Sequence, residues 1–139
     1  MTKPMKVLAR DAEDIQIISA CLQDSLVPLK DMAFFADEKR FVLAVNRFRW
    51  EQMPVRERTL CGIRIEGVSA VRYRDLDRTD QERMQSILSL QLADRELFVH
   101  FAGGGALCLT FEPGWTCLVD DMGRPWSTKS CPSHGEEEP

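Results

Sequence analysis

Leu97-Phe98-Val99-His100-Phe101-Ala102-Gly103-Gly104-Gly105-Ala106-Leu107-Cys108-Leu109-Thr110-Phe111 decides the fold class. Leu97, Val99 and Phe101 fall at every second position, and Leu107, Leu109 and Phe111 do so again. A period of two places each set on one face of an extended strand. The glycines between them supply the φ > 0 that a tight reversal needs. The stretch therefore predicts an antiparallel hairpin. It is not a phosphate-binding loop, because such a loop leads into a helix and carries Lys then Ser/Thr, whereas Ala106-Leu107-Cys108-Leu109 continues as a strand.

Upstream, Ser86, Leu88, Leu90 and Leu92 alternate ahead of the turn residues Ala93-Asp94-Arg95-Glu96. This adds a third strand and makes a meander. Downstream, Pro113-Gly114 predicts a break, with Trp115 to Val119 as a separate edge strand. Asp75 to Gln85 is predicted as a turn or two of helix, since Thr79 and Glu82 have capping-box spacing. Cys61 to Arg74 has a clean period of two. Ile63, Ile65, Val71 and Tyr73 share one parity, Arg64, Glu66, Arg72 and Arg74 the other, and Gly67 predicts a bulge or bend.

Met32 to Phe35 and Phe41 to Phe48 predict another hairpin around Asp37-Glu38-Lys39-Arg40. Both faces of the second strand are partly apolar, so it is expected to be central. Trp50 to Arg58, with Pro54, is predicted as a loop. Asp11 to Asp24 is predicted as a helix, capped by Asp11 and presenting Ile15, Ile18 and Leu22 on one side. Leu26 to Phe48 and Ile87 to Phe111 echo each other as strand, turn, strand.

The expected fold class is α+β: mostly antiparallel β-meanders with an N-terminal helix. They form one sheet or two packed sheets, and a closed, barrel-like arrangement is among the forms open to them. The expected domain runs over residues 1–129, with an acidic, disordered tail at 130–139.

The chain of 139 residues is long enough for one core, with 44% hydrophobic and 29% charged residues. No stretch approaches the roughly 18 apolar residues that span a bilayer. Asp11, Glu13 and Asp14 arrive where a signal peptide would be apolar. Cys21, Cys61, Cys108, Cys117 and Cys131 are odd in number and widely spaced, unlike a disulfide framework. These features predict a cytoplasmic protein with no membrane partner.

Catalytic and metal signals are weak. Cys131 and His134 stand three apart, but there is no CxxC pair and only two histidines exist. His100 is placed as a half-exposed strand residue. Asp120-Asp121 at a strand end suits pairing with Arg124, or an acid/base site in a small enzyme. No metal, cofactor or catalytic residue is predicted.

Charge is distributed unevenly. Residues 1–38 carry net −3, residues 39–78 net +5 and residues 79–139 net −6, for a total of −4. Arg47 and Arg49 share parity, as do Arg64, Arg72 and Arg74. If their strands are neighbours, an arginine stripe forms on one sheet face with Trp50 beside it. Guanidinium forks suit phosphates and carboxylates, and an indole stacks on planar rings. The plainer reading is a solvated face paired locally with Glu51, Glu57 and Glu66. A non-catalytic binding or interaction module, with a protein or an anionic ligand as partner, is the leading expectation. An anion- or nucleic-acid-binding domain and a small enzyme are the alternatives.

The runs Asn46-Arg47-Phe48-Arg49-Trp50-Glu51, Phe101-Ala102-Gly103-Gly104-Gly105-Ala106 and Asp121-Met122-Gly123-Arg124-Pro125-Trp126, with the opening Leu8 to Asp14, resemble a family of short uncharacterised alphaproteobacterial proteins, domain of unknown function 2948. The resemblance spans nearly the whole chain. It implies a bacterial cytoplasmic protein and no assigned activity. It also marks Arg47, Arg49, Trp50, Arg124 and Trp126, which fall in its motifs, for inspection alongside Arg64 and Arg72.

Overall fold

The computed structural model describes residues 4–128. The strands are β1 (Lys6–Ala9), β2 (Leu26–Pro28), β3 (Met32–Phe35), β4 (Arg40–Phe48), β5 (Glu57–Arg74), β6 (Met84–Ala93), β7 (Glu96–Phe101), β8 (Ala106–Asp121) and β9 (Trp126–Ser127). One helix, α1 (Ala12–Leu22), lies between β1 and β2. All pairings are antiparallel. Six strands close on themselves in the order β8-β7-β6-β2-β4-β5, with β5 returning to β8. The α+β meander expectation thus takes its barrel form, and β1, β3 and β9 extend the wall.

Closure depends on two long strands. The first half of β5 pairs with β4 on one side and with the last residues of β8 on the other. Its second half pairs with the first half of β8, which also holds β7. The bend between the halves is built at Gly67, where φ is +85° and the register shifts. A Cβ there would meet the Trp115 backbone at 3.0 Å. Lys39, itself left-handed at φ 54°, anchors the bend: its carbonyl accepts from Gly67 N and Val68 N, both at 2.9 Å, and its Nζ lies 2.9 Å from Glu112.

The predicted break at Pro113-Gly114 does not occur. β8 runs unbroken to Asp121 and is central, flanked by β1 and β5. Val68 pairs with Phe111 and Glu66 with Thr116, so residues 112–115 bulge out of the ladder opposite Gly67. Pro113 is tolerated because the ladder asks no N–H of it there.

The helix predicted over Asp75–Gln85 is likewise replaced by turns. Asp77 Oδ1 accepts from Thr79 N and Oγ1 at 3.0 and 2.5 Å, a local turn that removes Thr79 as a helix cap. Strands β1, β2 and β9 are too short to show a period and were not predicted. The tail expected at 130–139, with Cys131 and His134, lies outside the described residues.

Elsewhere local signals match the structure. Asp11 caps α1, accepting from Asp14 N at 2.8 Å, and Ile15, Ile18 and Leu22 are buried. The helix packs on β6, β1 and β4. Phe41, Leu43, Val45, Ile63, Ile65, Leu97, Val99, Phe101, Leu107, Leu109 and Phe111 fill one core with them. In β6 the alternation slips: Ile87 and Leu90 point inward while Leu88 is exposed, because the register shifts between Ile87 and Ser89. The Leu90 amide beyond the slip donates to Ser19 Oγ of α1 at 2.8 Å.

Candidate functional site

The predicted arginine stripe is divided by the barrel wall. Arg47 has the parity of Phe41, Leu43 and Val45, which is the core face, and is completely buried. Arg49, just past the strand, is 1% exposed. Arg64, Arg72 and Arg74 lie on β5 with outward parity and are exposed. The stripe assumed that the two sets faced solvent together, and alternation forbids that once Phe41 faces inward.

All five donors of the Arg47 guanidinium are engaged. Nε and Nη2 donate to Asp121 at 3.0 and 2.8 Å, Nη1 and Nη2 to Glu51 at 3.0 and 2.8 Å, and Nη1 to the Phe48 carbonyl at 3.5 Å. Asp121 Oδ2 also accepts from Met5 N at 2.8 Å. Burial works against the Asp121 charge, but the Arg47 and Met5 hydrogen bonds outweigh it and hold its carboxyl below the usual range. Glu51 is lowered chiefly by its hydrogen bond to Arg47. Arg49 Nη1 lies 2.6 Å from Glu57. Beside it a cavity of about 60 Å³ is lined by Pro4, Arg49, Thr59, Asp121, Gly123 and Pro125. Burial, reinforced by the Asp121 carboxylate, pushes the adjacent Cys61 thiol up to about 12. A thiol this high is not an activated nucleophile.

Trp50 serves the same assembly. Its indole N–H donates to the Gln23 carbonyl at 2.9 Å, satisfying an acceptor at the end of α1, and its ring meets Phe48 edge-on at 4.6 Å. Asp121 pairs with Arg47, not with Arg124 as the turn suggested. Asp120 and Asp121 point to opposite sides of the wall: Asp121 into the cluster, Asp120 into an outer trough with Val42, Ala44, Arg64 and Leu118. The two carboxylates do not converge on one reaction site. Arg124 and Trp126 are exposed, Trp126 in β9 opposite Arg58. His100 is half-buried, 3.0 Å from Gln91 Oε1 and stacked on Phe98.

A wide concavity lies at the other end of β5. Its volume is about 780 Å³, and it is lined by Phe34, the consecutive residues Val71 to Arg74, Arg78, Glu96, Phe98 and Cys108. Arg78, in the loop after β5, sets its guanidinium 4.3 Å from the centroid of the Tyr73 ring. Arg72 pairs with Glu96. Among the described residues no carboxylate lies within ion-pair distance of Arg74 or Arg78. Of the residues singled out in the sequence, Arg72 and Arg74 meet here. Arg78 carries no parity signal in the sequence, because it lies in the turn after β5 and not on a strand.

Among the described residues no group of three or more His, Cys, Asp or Glu is placed to hold a metal ion, and no helix is long and apolar enough to cross a membrane. Searches among curated proteins and among solved structures find no match. A family model does match, over residues 5–134, and its description is "Protein of unknown function (DUF2948)". Covering nearly the whole barrel and the motifs around Arg47, Gly103 and Asp121, that match makes the chain a member of the DUF2948 family.

Proposed function

We propose that this protein is a non-catalytic binding module that accepts an anionic ligand in the cleft around Arg72, Arg74 and Arg78. The observation that supports it is the convergence of three guanidiniums and the rings of Phe34, Tyr73 and Phe98 on one concavity, opposed by the Glu96 carboxylate. A volume of about 780 Å³ falls within the range of ordinary ligand sites. Arginine supplies planar, paired donors for phosphate or carboxylate oxygens, and the rings offer faces for apolar groups. Arg47 and Arg49 are left out of this reading because both are buried, where Asp121, Glu51 and Glu57 pair with them. Arg64, Arg124 and Trp126 lie outside the cleft. The reading takes the protein as alphaproteobacterial and cytoplasmic. The sequence motifs support the first, and the free thiols of Cys21, Cys61, Cys108 and Cys117 support the second.

The test titrates wild type and the Arg72→Gln/Arg74→Gln/Arg78→Gln variant with heparin at two salt concentrations. Wild type is expected to bind, more weakly at high salt, and the variant to lose about tenfold or more in affinity. Absent binding, or binding indifferent to both salt and the substitutions, overturns the reading.

A further inference from the structure

The cleft is lined by four successive residues of one strand, Val71, Arg72, Tyr73 and Arg74. Successive side chains point to opposite faces, so a cavity on one face would be lined by every second residue. A cavity lined by both sets runs along the strand's edge. Beyond Gly67 the pairing of β5 bears this out. Residues 70–74 pair with β8 between Ala106 and Thr110, while β4 pairs only as far as Glu66. Lys39 covers the amides of Gly67 and Val68. From Ser69 to Arg74, among the described residues, no strand pairs with the side turned away from β8. Alternate N–H and C=O groups on that side form a ready template for another extended chain.

Resting on the binding reading above, we propose that the occupant of the cleft is an extended acidic peptide segment, which adds to the free edge of β5 over Ser69–Arg74 as a further strand. An added strand would set its own alternate side chains on the two sides of the wall. One set would reach Arg72 and Arg74, which match carboxylates. The other would reach Val71, Tyr73 and Phe34, which match apolar groups. Acidic and apolar residues in alternation fit both at once. A polyanion without a peptide backbone uses the guanidiniums but leaves the edge unpaired. Single-stranded RNA is the poorer fit, because the chain is net −4 and Glu96 sits inside the cleft.

The experiment uses the full chain and a fluorescent octapeptide of alternating Glu and Val. Two further versions carry N-methyl groups on the Glu or on the Val amides, which keeps charge and removes one phase of backbone donors. Fluorescence anisotropy should show the parent binding and one methylated phase losing about tenfold or more while the other persists. Amide exchange should slow at alternate positions within residues 69–74. If both methylated peptides bind like the parent, strand addition is overturned while the anion-binding cleft stands. If the octapeptide fails and heparin or single-stranded RNA binds, the peptide assignment is overturned alone. If nothing anionic binds, both readings fall. If the peptide fails and Arg72→Gln/Arg74→Gln self-associates, strand addition is also overturned, and the arginines serve instead to guard the edge against pairing.

Discussion

Arg47 and Arg72 are both strand arginines in the basic middle of the chain, and the barrel treats them in opposite ways. Around Arg47, the first half of β5, the end of β8 and the end of β4 enclose two carboxylates and a backbone carbonyl that use up every donor. Around Arg72, the second half of β5 borders an open cleft, and the Glu96 partner is itself 34% exposed. The first arrangement holds α1, β1 and the Asp121 turn on the barrel. The second sets an exposed ion pair at the border of the cleft, beside Arg74 and Arg78. Charge count does not distinguish them. Inward or outward parity does, together with a carboxylate delivered from far along the chain.

The contrast is tested most severely at Arg47. Arg47→Met leaves Asp121, 3% exposed at its side chain, without its partner. Breaking a buried pair in this way is expected to destabilise the fold by about 3–5 kcal/mol. Urea unfolding at pH 7 measures it, and Arg47→Met/Asp121→Leu should recover much of the loss. A shift under about 1 kcal/mol would abolish the distinction between the two regions. The sign with pH follows from Asp121 being held below the ordinary carboxylate range. Its contribution is present above about pH 4 and is lost as pH falls through the lowered folded value. Wild type should therefore lose stability on acidification there more steeply than the double variant.

Gly67 divides the two regions and gives an intermediate effect. Gly67→Ala places a Cβ at φ +85° and 3.0 Å from Trp115 Cα, and is expected to cost about 2 kcal/mol. Thermal and urea unfolding would read it. An unchanged stability would show that the bend is not set by this residue. The smallest effect is expected at Arg72. With side chains 61% and 34% exposed, Arg72→Gln should move stability by less than about 1 kcal/mol. A larger loss would place Arg72 with Arg47 as a structural residue and weaken its proposed role in the cleft.

Much of this was legible locally. The Asp11 cap, the three buried residues of α1, the hairpin at Gly103–Gly105 and the bend at Gly67 rest on signals within a few residues of one another. Arg47's burial was also legible: six residues after Phe41 on one strand, it had to face the same way. The expected stripe sets every strand arginine toward solvent, whereas a saturated guanidinium need not face it. Pro113 misled because a register break was invisible from one strand alone. Thr79 misled because Asp77 competes for it.

By itself, the order of residues determined which side chains share a face, where the helix begins, and where glycine lets the chain turn or bend. These depend on steric preference and periodicity, which act over a few residues. The tertiary structure alone decided that β5 returns to β8, that Asp121 meets Arg47 across 74 residues, and that, among the described residues, one half of β5 keeps a free edge. Backbone donors and acceptors are alike in every register, so no local pattern selects the partner strand. The selection is made by the shared core and by the buried charges that must find one another within it.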